Sequence, residues 1–187
     1  NQTCPTYNYM VYLTVSDHCK IDGCVFNATA NTDRCLTYSS NNICTVQNCT
    51  FNGGGVAIEG QTLIVKNCSF KDQSSGSIKG SITEVSSNTV TNTKAISSFN
   101  AFDITSYRAS VYNNKIISNA GYGIRYGINY GKIYNNYVSI SSLSGFGLYQ
   151  SYSDSAEVYH NTVRINGDAS SNVFFAEDRL DNVLLLK

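Results

Sequence analysis

Charge is what this sequence has least of: 14% of its 187 residues are Asp, Glu, Lys or Arg, against roughly 25% in an average globular chain. Thirteen basic and thirteen acidic side chains cancel, so no net field steers the chain toward nucleic acid or an anionic lipid surface, and neither partner is expected. Long apolar runs are also lacking. The segment Val183-Leu184-Leu185-Leu186 falls far short of the roughly 20 residues that cross a bilayer, so no membrane span is expected. Proline occurs once and histidine twice, as His18 and His160. Paired C-x-x-C spacing is missing although Cys4, Cys19, Cys24, Cys35, Cys44, Cys49 and Cys68 crowd the first third, which points away from zinc and toward disulfides made in an oxidising compartment.

What is abundant is Ser, Thr, Asn and Tyr, and these residues recur in a pattern. Seven hexads align without gaps: IDGCVF from Ile21, VQNCTF from Val46, VKNCSF from Val65, VSSNTV from Val85, VYNNKI from Val111, IYNNYV from Ile133 and VYHNTV from Val158. Their fourth residues, Cys24, Cys49, Cys68, Asn88, Asn114, Asn136 and Asn161, are 19 to 26 positions apart, a mean of about 23 that lies in the solenoid range. Three places before this anchor stands Ile or Val, and two places after it stands Phe, Val or Ile. Such alternation, rich in β-branched residues, describes strands with one buried face.

The residue before the anchor is Gly23, Asn48, Asn67, Ser87, Asn113, Asn135 or His160. Mostly these types tolerate the left-handed conformation, so a tight corner is predicted between two strands of each coil, with a structural role for His160. After the corner the anchor points inward, where stacked Asn side chains satisfy one another as a ladder. Cys takes that position in the first three coils as a small buried hydrophobe. A second strand per coil is predicted at Val56-Ala57-Ile58, Ser77-Ile78-Lys79, Ala95-Ile96-Ser97, Gly123-Ile124-Arg125, Gly147-Leu148-Tyr149 and Phe174-Phe175-Ala176.

The pattern, from about Cys19 to Asp178, resembles the right-handed parallel β-helix of the pectate-lyase-like superfamily, which includes pectinases and phage tailspikes. The expected fold is therefore all-β, a single-stranded parallel β-helix of about seven coils. Its handedness rests on the general preference for right-handed crossovers. Residues 19–180 are assigned to the helix, 1–18 to a capping or donated strand, and 181–187 to a C-terminal strand or the start of another coil. Unpaired strand edges at the ends of such a rod need a cap or a partner, so self-association, end to end or as a trimer, is expected.

The resemblance implies a polysaccharide lyase or glycoside hydrolase as one function. Asn31-Thr32-Asp33 matches a polygalacturonase motif, but the companion paired Asp, G-H-G and R-x-K motifs are missing, as are the acidic cluster and the arginine segment of pectate lyases. No catalytic residue, metal ligand or cofactor is assigned on that basis. The favoured reading is a non-catalytic module, structural, adhesive or filament-forming.

Two outward columns are candidates for glycan binding. Tyr112, Tyr134 and Tyr159 stack on the last three coils, where they either stabilise neighbouring strands or a subunit contact, the favoured reading, or offer aromatic faces to sugar rings. The other column is Glu59, Lys79, Ser97, Arg125 and Tyr149, where Arg125, with Tyr122, Tyr126 and Tyr130 near it, could hold an acidic sugar. Asn1, Asn27, Asn48 and Asn67 begin N-x-Ser/Thr acceptors, which together with the cysteines suggest an extracellular, cell-surface or virion-surface location. Cys19 and Cys44 both lie five residues before their anchors, one rung apart, at a spacing a disulfide accepts. Cys4 and Cys35 remain for each other or for another subunit, and Cys24, Cys49 and Cys68 either pair within their column or stay reduced.

Overall fold

A computed structural model describes residues 9–14, 18–29, 34–119, 121–151, 156–176 and 185–186. Each repeat contributes three legs to one turn of an all-β solenoid. The first leg follows the anchor: Val25–Ala28, Thr50–Gly53, Ser69–Lys71, Thr89–Asn92, Lys115–Ser118, Tyr137–Ile140 and Thr162–Ile165 stack in chain order as a seven-stranded sheet. The other two legs build a bent sheet of 14 strands. In two coils a single strand, Val56–Lys66 or Gly76–Ser86, covers both of these legs, whereas further on they divide, as in Tyr122–Asn129 and Lys132–Tyr134. Pairing is parallel, as a chain returning to the same place once per turn requires.

The apolar positions of the hexads stack in register. Ile21, Val46, Val65, Val85, Val111, Ile133 and Val158 succeed one another on the third leg. Phe26, Phe51, Phe70, Val90, Ile116, Val138 and Val163 do so on the first. Rings at the first three of these positions lie face over face, with centroids 4.7 and 5.1 Å apart. On the second leg Leu36, Ile58, Ile78, Phe102, Ile124, Leu148 and Phe174 close the third side of the core. Space inside is tight: a Cβ added to Gly123 would stand 2.4 Å from Val138 Cγ1, so glycine there lets the second leg approach the first.

All seven predicted corner residues have positive φ, between 52° and 68°. That turn aims the next side chain inward. Asn114 Nδ2 donates to Val85 O (2.9 Å) and to Asn136 Oδ1 (2.9 Å), while its own Oδ1 accepts from Asn88 N (2.9 Å) and Nδ2 (3.1 Å). Asn136 repeats the arrangement with Val111 and Asn161. Each side chain thereby supplies partners for backbone groups that the corner takes out of the sheet ladder, and a buried polar group without one costs about 1–3 kcal/mol. The thiols of Cys49 and Cys68 lie toward the equivalent carbonyls, Ile21 O at 3.8 Å and Val46 O at 3.7 Å. They provide the donor of the ladder without its acceptor.

One predicted strand is corrected. Ala95-Ile96-Ser97 lies in the loop between Thr89–Asn92 and Asn100–Tyr107, and Phe102 holds the place in register with Ile78 and Ile124. This loop is longer than its neighbours, and the run FDITSY after it carries the period-two alternation of a strand with Phe102 and Ile104 fully buried. Ile96 instead packs against the core from the loop. At one end Tyr9–Leu13 lies parallel on Arg34–Tyr38, and at the other Leu185–Leu186 lies parallel on Glu157 and Val158.

Candidate functional site

The tyrosine column follows from the outward parity of the third leg. Tyr112, Tyr134 and Tyr159 are in register, and their rings are parallel within 5°, with centroids 5.0 and 5.1 Å apart. Both faces of Tyr134 are therefore covered by its neighbours, leaving ring edges and hydroxyls to solvent. Tyr112 donates its hydroxyl to Glu84 Oε1 at 2.8 Å, and this bond to a carboxylate raises the phenol's pKa. His160 stands edge-on to Tyr159 at 5.4 Å. Sugar stacking needs an open ring face, and here the faces between the three rings serve the column.

On the second leg the correction at Phe102 changes the outward column: Asp103, not Ser97, stands between Lys79 and Arg125. The column becomes Thr37, Glu59, Lys79, Asp103, Arg125, Tyr149 and Phe175, with charge alternating over its four charged rungs. Arg34 also pairs with Glu59. Lys79 Nζ is 3.9 Å from Glu59, and Arg125 is 3.5 Å from Asp103. These pairs are partly exposed, so each contributes under about 1 kcal/mol.

Arg125 also lies over the Tyr149 ring at 5.8 Å. Around it Tyr122 and Phe146 stack at 4.9 Å, Tyr149 and Phe175 stack at 5.1 Å, and the two stacks meet edge to face. Tyr126 and Tyr130 are not part of this cluster. Tyr126 points into the core, fully buried, with burial raising its pKa, and Tyr130 sits at the far corner edge-on to Tyr107. Beside the charged column Ser75, Gly76, Lys79, Ser98, Asn100 and Asp103 border a cleft of about 210 Å³. Within it Asn100 Oδ1 is buried without a hydrogen-bond partner among the described residues.

Of the glycosylation candidates, Asn1 lies outside the described residues, and so does Asn31-Thr32-Asp33. Asn27 is half-buried and accepts from Asn52 Nδ2 at 2.8 Å. Asn48 and Asn67 are exposed at successive corners, and Asn48 Nδ2 donates to Asp22 Oδ1. Asp22 is also bound by Lys20 and Gln47, and these contacts, Lys20 first, lower its pKa to about 2.

Cys19 and Cys44, partners in register, are joined by a disulfide with Cα atoms 4.5 Å apart. Cys35 is buried, and Cys4 lies outside the described residues. Cys24, Cys49 and Cys68 carry thiols, only that of Cys24 being exposed. No group of three or more His, Cys, Asp or Glu side chains among the described residues is placed to hold a metal ion.

The family described as right handed beta helix region matches residues 9–163. The chain belongs to that family. No curated protein and no solved structure matches it, so within this β-helix the residues themselves carry the argument about function. No helix among the described residues is long and apolar enough to cross a membrane. Sequence reasoning missed Asp103, Phe146 and Phe175. Phe146 and Phe175 carried a signal: each falls in register with a candidate once the second legs are aligned.

Proposed function

We propose that this β-helix is a non-catalytic structural module, a rigid rod displayed outside the cell or on a virion surface that works by adhesion or self-association. The observation that carries this reading is the way outward side chains are engaged with their own column neighbours, as in the closed stack of Tyr112, Tyr134 and Tyr159. Reactive chemistry needs carboxylates or a base held apart for substrate, whereas Glu59 and Asp103 are ion-paired along the rungs. An apolar hollow of about 540 Å³ at one end, lined by Met10, Val11, Leu13, Ile21, Val25 and Phe26, supports end-to-end contact. Electron microscopy of the purified protein, run beside assays for reducing ends and unsaturated products on acidic polysaccharides, tests this. Ordered filaments or trimers without product are expected, and product formation overturns the reading.

A second reading is favoured by the Arg125 cluster. Arg125, Tyr149, Tyr122, Phe146 and Phe175 join a cation to a cluster of rings of which Phe175 is exposed, a combination suited to an acidic sugar. On this reading Arg125→Ala and Tyr149→Ala each weaken binding of a uronic-acid oligosaccharide by about tenfold or more, the effect of losing roughly 1.4 kcal/mol. Tyr134→Ser leaves that binding unchanged. Equal binding by all three variants and the parent refutes it.

A further inference from the structure

Three thiols stand in one column at the inner end of successive corners. Val25, Thr50 and Ser69, the residues that follow Cys24, Cys49 and Cys68, pair in register, so the cysteines are one rung apart. Five positions upstream the same stacking brings Cys19 and Cys44 to bonding distance. Cys49 sits between the other two, one rung from each. Carbonyl groups fix the sulfurs in place: Cys24 Sγ lies 3.6 Å from Asp22 O, Cys49 Sγ 3.1 Å from Gln47 O, and Cys68 Sγ 3.3 Å from Lys66 O. Exposure is graded along the column, with Cys24 open to solvent and Cys49 and Cys68 buried behind it.

We infer that Cys24, Cys49 and Cys68 form a thiol–disulfide exchange site for low-molecular-weight disulfides, with Cys24 as entry thiol, Cys49 as resolving thiol and Cys68, one rung further in, as a positioning residue behind Cys49. Cys24, deprotonated, attacks a disulfide RS–SR. The Cys24 Sγ–S bond forms, the RS–SR bond breaks, and one RS⁻ leaves and takes up the proton that Cys24 released. Cys49 then attacks Cys24 Sγ, the mixed disulfide breaks, and the second RS⁻ leaves with the proton from Cys49. Two protein thiols are oxidised to a Cys24–Cys49 disulfide while one RS–SR is reduced to two RSH.

The electrostatics agree with these roles. The neighbouring Cys68 lowers the pKa of Cys49, and Cys49, with burial, raises that of Cys68. The thiolate is the attacking form in both steps. Burial raises Cys24, so formation of the mixed disulfide is the slow step and accelerates with rising pH. Resolution by Cys49 is fast.

The test is incubation of the folded, intact protein with oxidised glutathione, followed by intact mass and disulfide mapping. The parent protein is expected to lose two hydrogens, to carry no glutathione and to map a Cys24–Cys49 bond, with Cys19–Cys44 unchanged. Cys49→Ser should retain one glutathione on Cys24. Cys24→Ser should react at least about tenfold more slowly, because the buried thiols lose their entry point. Cys68→Ala should keep the first step and slow the second, so that the adduct becomes visible in time courses, an effect that a merely structural role for Cys68 would not produce. A stable glutathione adduct on Cys24 in the parent, or oxidation that does not depend on Cys24, overturns the inference. Mapping of the parent protein decides it even where a variant fails to fold.

Discussion

Asn114→Ala is expected to lower the unfolding free energy by about 3–5 kcal/mol, because several buried groups lose partners at once and each costs about 1–3 kcal/mol. Asn114 is 2% exposed. Its side chain serves Val85 O, Asn88 N, Asn88 Nδ2 and Asn136 Oδ1, so truncation strips the partner from Asn88 N and a donor from Val85 O on the preceding coil, while Asn136 Oδ1 keeps the Asn114 backbone N–H. Urea unfolding checks it: the midpoint should fall with the slope unchanged. Asn114→Asp keeps the shape and adds a carboxyl to a buried column, where burial favours the neutral acid. The folded-state pKa then lies above the unfolded one, so Asn114→Asp is most stable below about pH 4 and loses stability as pH rises through the folded value. Loss of stability with falling pH would contradict the inward placement of this side chain.

Phe51→Ala is expected to cost about 3–5 kcal/mol, the range for removing a fully buried aromatic ring. Phe51 is 0% exposed and stacks on Phe26 at 4.7 Å and on Phe70 at 5.1 Å, so its loss opens a cavity bordered by a ring on each side. Among the described residues Phe26 stacks on Phe51 alone, and it is 7% exposed, so Phe26→Ala should cost less. The same urea titration separates the two. A larger loss from Phe26→Ala would mean that the core is not packed most closely at the middle of this column.

These effects can be forecast because the columns were legible before any coordinates. The hexads repeat without gaps, and their fourth, first and sixth positions face the core for one reason: the left-handed residue at position three turns the chain at a fixed point of every coil. Legibility ended where loop length varies. Between Asn92 and Asn100 the chain passes one apolar triplet, Ala95-Ile96-Ser97, before the strand begins, and composition alone does not rank that triplet against Ala101-Phe102-Asp103. Burial does, because the larger Phe102 fills the core. The alternating charges of Glu59, Lys79, Asp103 and Arg125 were hidden by the same shift.

Tyr126 illustrates a different lapse. With Arg125 outward, strand parity already sends Tyr126 inward, so its placement beside Arg125 was open to correction from the sequence. Ring orientation was not. That Tyr112, Tyr134 and Tyr159 share a column is a matter of spacing, but that their faces close on one another depends on side-chain torsions that spacing does not encode.

Side chains of successive coils touch along the rod axis, and a double-mutant cycle in urea measures that contact. Asn88→Ala and Asn114→Ala, which share hydrogen bonds, should show a coupling of about 1 kcal/mol or more, whereas Asn88→Ala and Asn161→Ala, with two coils between them, should be additive within about 0.5 kcal/mol. Additivity in the adjacent pair would contradict the stacked ladder and with it the register of every column described above.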